Sequence, residues 1–155
     1  MNLKRTRRRI DWLVVHCTAT REGQDISIEQ IRQWHLNRGW SDIGYHYVID
    51  LDGNILEGRP VTRIGAHVRG FNRYSIGITY VGGVDRNLAP KDTRTTRQKV
   101  ALEWLLKELK KHHPLAKIQG HRDFSKDINN NGIIEPFEWV KACPSFDAKR
   151  EYKYI

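Results

Sequence analysis

The sequence is poor in cysteine and has no long apolar run. Its 155 residues include only two cysteines, Cys17 and Cys143, which are too few for a disulfide framework. No stretch approaches the roughly 18 consecutive apolar residues of a membrane-spanning helix. A basic segment at 4–9 precedes a short apolar run at 10–15, but Asp11 interrupts that run, so no secretory signal peptide is visible. We therefore expect no membrane span and synthesis in the cytoplasm.

Other classes of protein are excluded by further absences. There is no CxxC pair and no HExxH motif, which argues against a structural zinc finger and against a zincin-type protease. Hydrophobic residues make up 39% and charged residues 29% of the chain, which argues against disordered and collagen-like architectures. No internal repeat or low-complexity linker divides the sequence, so its length favours one domain.

The sequence does carry an excess of basic residues. Its formal net charge is +9, which attracts polyanions such as nucleic acid, anionic lipid or an acidic cell-wall polymer. A basic surface without any polyanionic partner is an equally ordinary interpretation. No nucleic-acid recognition motif accompanies the charge, so we expect no specific nucleic-acid partner. Residues 1–9 are expected to form a basic N-terminal tail.

Hydrophobic periodicity and turn residues predict strands interspersed with helices. Capping-box sequences that begin at Ser27 and Thr95 indicate the starts of two helices. The predicted strands are 12–17, 45–49, 54–57, 75–81 and 117–120, and the predicted helices are about 28–38, about 95–113 and 145–152, the last capped by Ser145. This order predicts an α/β domain with a central mixed β-sheet flanked by helices.

Three side chains near the ends of predicted elements have the chemistry of a zinc site. His16 lies at the end of the first strand, His121 follows a strand-like run, and Cys143 lies in a loop. Two imidazoles and a thiolate suit a four-coordinate zinc ion and leave one position for water, as in hydrolytic centres. Side chains alternate across a strand, so Cys17 points away from His16 and is expected to be a buried thiol. The alternative is that these histidines only form surface hydrogen bonds.

Six segments in order along the chain form a specific set of motifs. They are VHCTAT (15–20), GYHY (44–47), GAH (65–67), NRYSIGI (72–78), GHRD (120–123) and KACPSFD (141–147). The set resembles the type 2 N-acetylmuramoyl-L-alanine amidases, in particular the phage lysozyme-amidases and the peptidoglycan recognition proteins. The resemblance covers about residues 10–150 and implies an amidase domain over 10–155 with its zinc site at one face.

The resemblance also implies roles for individual residues. The zinc ligands of that family fall here on His16, His121 and Cys143, and its catalytic tyrosine and lysine fall on Tyr45 and Lys141. A tyrosine hydroxyl can orient the attacking water, and a lysine can stabilise the oxyanion that forms. Without the resemblance, a packed strand tyrosine and a solvated surface lysine are the ordinary interpretations.

His46, His67 and Asn72 are further candidates for lining the substrate groove. In a strand over 45–49, His46 points away from Tyr45, so at most one of these two side chains should face the metal directly.

The connection between His121 and Cys143 is longer than in the phage amidases that the chain resembles, and about 124–140 is interpreted as an insertion. Residues 127–138 match the calcium-loop pattern D-x-[DN]-x-[DN]-G-x5-E at every specified position. The predicted calcium ligands are Asp127, Asn129, Asn131, Ile133 through its carbonyl, and Glu138. The helices that flank an EF-hand loop are not predicted, and a surface loop that hydrogen-bonds to its own backbone is the alternative.

The expected function is zinc-dependent hydrolysis of the amide between N-acetylmuramic acid and L-alanine in peptidoglycan, with Zn²⁺ and also Ca²⁺ as predicted cofactors. We expect a monomer that acts on the cell wall if it is released and is cytoplasmic otherwise. The alternative is a module that binds muropeptide without cutting it, as family members that lack the cysteine ligand do. The presence of Cys143 and Tyr45 argues against this alternative.

Overall fold

A five-stranded sheet with one long helix on each face forms the centre of the protein. The computed structural model describes all residues from 1 to 155. The strands are β1 (Trp12–Cys17), β2 (Thr20–Arg21), β3 (Tyr47–Ile49), β4 (Ile55–Glu57), β5 (Ser75–Tyr80), β6 (Gly83–Val84) and β7 (Lys117–Gly120), and the helices are α1 (Ile28–Asn37), α2 (Thr96–His112) and α3 (Ala148–Glu151). The main sheet has the order β4-β3-β5-β1-β7. The predicted α/β domain with a mixed sheet is therefore confirmed.

The central strand β1 positions the face of the sheet that carries the site. It pairs in parallel with β5 on one side and with β7 on the other, while β3 is parallel to β5 and antiparallel to β4. Leu13, Val14 and Val15 are all fully buried, as expected for a parallel strand that is covered on both faces. The strand predicted over 12–17 has the same bounds in the structure.

Each face of the sheet packs against one long helix. Leu105 of α2 belongs to the larger core cluster, which also contains Cys17. On the other face, Val48 of β3 and Ile31 of α1 belong to a second, smaller cluster. Because side chains alternate along β1, Cys17 is buried on the α2 side and His16 points to the α1 side, as predicted.

The predicted capping boxes begin both long helices. Ser27 Oγ accepts the backbone N–H of Gln30 at 3.1 Å, and Thr95 Oγ1 accepts that of Gln98 at 3.1 Å. Each glutamine side chain accepts the N–H of its cap residue in return. Both helices end one residue before their predicted ends.

The C-terminal helix is shorter than predicted and is capped by a different residue. Helix α3 covers Ala148–Glu151, and Asp147 Oδ1 accepts the N–H of Arg150 at 3.0 Å. Ser145 instead donates its hydroxyl to the Gly83 carbonyl at 2.7 Å and has a φ of +67°. The predicted Ser145 cap is therefore wrong, because that hydroxyl joins two distant parts of the chain.

Other differences concern short strands. The hairpin strands β3 and β4 have three residues each and are shorter than the predicted runs 45–49 and 54–57. Strands β2 and β6 form a two-stranded parallel sheet that the sequence does not predict. None of the three helices combines the length and the apolar character that a bilayer crossing requires.

A buried arginine anchors the C-terminal segment to the rest of the fold. The side chain of Arg94 is 1% exposed and pairs with Asp92 and Glu151, each at 2.8 Å. Its guanidinium lies 3.3 Å from the ring centroid of Phe146. Because a buried charge is stable only when it is paired, this cluster fixes the chain just after Cys143.

Candidate active site

The parallel register of β1 and β7 brings two of the predicted ligands together. Val15 is paired with Gly120, so His16 and His121 are the next residues at the carboxyl ends of neighbouring strands. Their ring centroids are 4.8 Å apart. His121 begins a short 3₁₀ turn, and Asp123 in that turn accepts the N–H of Gly120 at 2.8 Å.

The third predicted ligand, Cys143, is held against the same edge by backbone contacts. The N–H of Cys17 donates to Cys143 Sγ at 3.2 Å, and the N–H of Arg122 donates to the Cys143 carbonyl at 2.8 Å. The sulfur lies 3.8 Å from Nδ1 of His16. The three ligand atoms of His16, His121 and Cys143 all lie within 4.8 Å of one another.

The chemistry of these three side chains fits a zinc ion. Burial lowers the pKa of His16 well below its usual value, and it lowers the pKa of His121 to about 4, so both imidazoles are neutral near neutral pH. Burial raises the pKa of the Cys143 thiol, and a bound cation offsets this by favouring the thiolate. Neutral imidazole and thiolate are the ligands that zinc prefers.

A cavity of about 700 Å³ opens over the three residues. Tyr45 and Lys141 line it together with His121 and Cys143, and the Tyr45 ring centroid lies 5.1 Å from that of His16. Burial raises the pKa of Tyr45, so its hydroxyl stays protonated. Burial is the main cause of the lowered pKa of His121, and the positive charge of Lys141 lowers this pKa further. Its ammonium group therefore acts electrostatically on the site.

Both aromatic and cationic groups form the outer walls of the cavity. The residues concerned are Trp34, Arg38, Trp40 and Arg69. The guanidinium of Arg38 lies 5.6 Å from the ring centroid of Trp40. Such walls suit a ligand that carries both flat, partly apolar rings and negative charge.

His46 does not line the cavity, unlike the other residues predicted for the groove. It is 1% exposed, its Nδ1 accepts the N–H of Gly77 at 3.0 Å, and its Nε2 lies 2.9 Å from the Arg63 carbonyl. Both ring nitrogens are thus used within the protein. The structure therefore does not place this side chain in the groove as predicted, because the Gly77 amide and the Arg63 carbonyl hold both of its ring nitrogens.

His67 and Asn72 do line the cavity, but most of their polar atoms are engaged. His67 Nδ1 lies 2.9 Å from His16 Nε2, and His67 Nε2 lies 3.1 Å from Ser75 Oγ. Asn72 Oδ1 accepts the N–H groups of His67 and Val68 at 2.8 and 2.9 Å. The side-chain amide nitrogen of Asn72 is the group left to face a ligand.

Ser75, Gly65 and Gly77 surround His67, and the sequence alone assigns them no role. A Cβ at Gly77 would lie 2.5 Å from the His67 ring, and one at Gly65 would lie 2.7 Å from its Cδ2 atom. All three lie within the segments GAH and NRYSIGI. Their membership of these two motifs was the available signal.

The predicted calcium loop is folded on its own backbone. Asp127 accepts the N–H of Gly132 at 2.7 Å, and Glu138 accepts those of Ile128 and Glu135 at 2.7 and 2.9 Å. Hydrogen bonds from three backbone amides, of which that of Glu135 has the largest effect, hold the pKa of Glu138 below its usual value. Gly132 has the positive φ of +82° that the sharp turn requires. Short 3₁₀ turns replace the flanking helices of an EF-hand, so calcium binding stays a prediction.

Comparison with known proteins identifies a family that matches this chain. The family model described as N-acetylmuramoyl-L-alanine amidase matches residues 6–144. The endolysin of Enterobacteria phage K11 is 40% identical over 139 residues, which cover 90% of this chain and 83% of that protein. The endolysin of Klebsiella phage KP32 is 41% identical over 138 residues, which cover 89% and 82%.

A solved structure agrees with the sequence relatives. The N-acetylmuramoyl-L-alanine amidase LysC from Clostridium intestinale URNW matches with a TM-score of 0.66 and 28% identity, over 84% of this chain and 82% of that one. The protein therefore belongs to the N-acetylmuramoyl-L-alanine amidase family.

Proposed function

We propose that this amidase cleaves peptidoglycan between the lactyl group of N-acetylmuramic acid and L-alanine, and that it depends on zinc held by His16, His121 and Cys143. The observation that carries the zinc proposal is the convergence of these three ligand atoms within 4.8 Å of one another. They lie at a cavity that Tyr45 and Lys141 also line. The proposed zinc ligands, the two proposed catalytic side chains and the space for a substrate are thus found at one place in the fold.

His16, His121 and Cys143 would hold the zinc ion, which would supply Lewis acidity for the scissile carbonyl and lower the pKa of the attacking water. Tyr45, which burial keeps protonated, orients that water through its hydroxyl group. Lys141 places a positive charge near the substrate carbonyl and stabilises the oxyanion that develops on it. The cavity excludes bulk water on one side, so these electrostatic contacts are stronger than in solution.

The cavity walls support a peptidoglycan fragment as the substrate. The indole faces of Trp34 and Trp40 suit sugar rings, and the guanidinium groups of Arg38 and Arg69 suit the carboxylates of a stem peptide. The net charge of +9 favours association with an acidic polymer. Two relatives are named endolysins, and we propose the same place of action, the cell wall, for this chain.

The test is a turnover assay with purified peptidoglycan. Zinc-loaded protein is expected to release new L-alanine amino termini, and the same protein after zinc removal is expected to release none. Binding of muropeptide without any new amino terminus would instead support the non-catalytic recognition module. Turnover that is equal with and without zinc would refute the zinc proposal.

Calcium is expected to stabilise the protein through the loop from Asp127 to Glu138. If the loop binds Ca²⁺, added calcium raises the melting temperature by mass action. Glu138→Gln is expected to abolish this rise, because position 12 of the pattern supplies the bidentate carboxylate. The measurement is thermal unfolding of both proteins during calcium addition at fixed zinc.

The quantity compared is the rise in melting temperature that calcium causes in each protein. The absolute melting temperatures are not compared, because Glu138→Gln also weakens hydrogen bonds to the loop amides and lowers the starting value. Magnesium at the same concentration is the matched control, since it demands a tighter octahedral site. An equal rise in melting temperature in both proteins at millimolar calcium would show that the loop only hydrogen-bonds to its own backbone and does not bind calcium.

A further inference from the structure

His16 is the first member of a series of hydrogen bonds that leads away from the other two predicted zinc ligands. Its Nδ1 faces Cys143, and its Nε2 lies 2.9 Å from Nδ1 of His67. His67 Nε2 lies 3.1 Å from Ser75 Oγ, which lies 3.4 Å from the Asn72 carbonyl oxygen. His16, His67 and Ser75 are only 1%, 8% and 0% exposed, so water competes little for these bonds. We call this series, from His16 to the Asn72 carbonyl, the histidine relay.

The histidine relay ends on a backbone carbonyl, which only accepts, so one consistent arrangement has every hydrogen bond in it donated outward from His16. The Ser75 hydroxyl donates to that carbonyl and therefore accepts from Nε2–H of His67. A neutral imidazole carries one ring proton, so Nδ1 of His67 accepts the Nε2–H of His16. The lone pair on Nδ1 of His16 is then free at the atom that faces Cys143.

We propose that His67 and Ser75 are positioning residues that hold His16 in the tautomer whose free Nδ1 binds the metal. This inference rests on the proposed function, since it requires zinc at His16, His121 and Cys143. A hydrogen bond to the remote nitrogen of a histidine ligand fixes both its tautomer and its ring orientation. His67 thus supports the metal ligand, although its sequence motif first indicated a substrate contact.

The backbone around His67 leaves its ring little freedom. A Cβ at Gly77 would lie 2.5 Å from the ring, so the ring lies directly on β5. The N–H of His67 donates to Asn72 Oδ1 at 2.8 Å, and Arg8 Nη2 donates to the Ser75 carbonyl at 2.6 Å. Both ends of the His67–Ser75 contact are therefore fixed, as a positioning role requires.

Zinc affinity of the full chain, measured by competition with a chromophoric chelator, tests the proposal. His67→Leu removes both ring nitrogens and is expected to weaken zinc binding about 10- to 100-fold. His67→Asn keeps an acceptor near the place of Nδ1 and is expected to recover part of the loss. Ser75→Ala removes the far end of the histidine relay and is expected to lie between wild type and His67→Leu.

A merely structural His67 would give a different pattern. All three variants would then lower the melting temperature of the metal-free protein, while zinc affinity would not follow the order of retained hydrogen bonds. Zinc affinity of His67→Leu within twofold of wild type would overturn the proposal.

A second measurement needs no substitution. Long-range ¹H–¹⁵N correlation spectra of the zinc-loaded wild type report which ring nitrogen of each histidine carries the proton. His16 and His67 are both expected to be protonated at Nε2 and unprotonated at Nδ1. A proton on Nδ1 of His67 would reverse the direction of the histidine relay and overturn the proposal.

Failure of the histidine relay is distinguishable from failure of the proposed function. In the first case, wild type binds one zinc ion in a Cys143-dependent manner and cleaves peptidoglycan, and His67→Leu binds zinc as tightly. In the second case, wild type itself shows no Cys143-dependent zinc uptake, and the histidine relay proposal is overturned with it.

Discussion

Replacing Cys143 by serine is expected to remove most of the zinc affinity and, with it, the amidase activity. A thiolate is a far better zinc ligand than an alcohol, and the site offers only three protein ligands. The loss is expected to exceed the ~10- to 100-fold that outer-shell changes typically cause. Metal content after dialysis against a defined free zinc concentration, together with release of L-alanine amino termini, measures both effects.

Cys17→Ser is the matched control for this prediction. It makes the same chemical change one residue after His16, but the Cys17 side chain lies in the larger core cluster and is not part of the converging ligand group. Its backbone N–H, which contacts the Cys143 sulfur, is retained. Zinc stoichiometry is therefore expected to stay at one, although stability falls because a hydroxyl is buried.

Normal zinc stoichiometry in Cys143→Ser would move the third ligand to another side chain. Asp123 is then the first residue to test, because its carboxylate lies in the turn that begins at His121 and is bound to the Gly120 amide. A double variant that also carries Asp123→Asn would decide between the two ligands.

Lys141→Ala is expected to lower kcat by about 10²–10³ while zinc stays bound, since loss of one oxyanion donor typically has this effect. Tyr45→Phe, which removes the hydroxyl proposed to orient the water, is also expected to lower kcat with zinc still bound. Neither side chain belongs to the converging ligand group. Both line the cavity, so their loss removes stabilisation of the transition state and not of the metal. Steady-state kinetics on a soluble muropeptide, with metal content measured on the same samples, separate kcat from zinc occupancy.

Lys126→Ala serves as a control for the loss of one positive charge. Lys126 is exposed and does not line the cavity, so its removal tests the effect of net charge alone. Cleavage by Lys141→Ala at the parental rate would remove the proposed role of that residue. A rise in KM without a fall in kcat would assign Lys141 to substrate binding instead.

Local patterns were enough to predict the regular elements. Strand β1 begins with the apolar run from Trp12 to Val15 and has the same bounds in sequence and structure, because a parallel strand covered on both faces is rich in apolar residues. Ser27 and Thr95 begin the long helices because their caps depend on residues three positions away. Such short-range signals do not require knowledge of the rest of the chain.

Short-range rules failed where a distant contact decided the outcome. Serine is a common helix-capping residue, yet the Ser145 hydroxyl donates a hydrogen bond to the carbonyl of Gly83, 62 residues earlier in the chain. Histidine is a plausible residue type for a substrate groove, yet both ring nitrogens of His46 are hydrogen-bonded, one to the Gly77 amide and one to the Arg63 carbonyl. Neither partner is visible from the local sequence.

The sequence by itself determined the α/β fold class, the elements that carry His16 and His121, and the residue types of a zinc site. Only the tertiary structure decided that Cys143 meets the amide of Cys17, 126 residues away, and that His67 lies between His16 and Ser75. The physical reason is that residue type and spacing determine which bonds a side chain can form. Strand register and close backbone packing determine which of those bonds it does form.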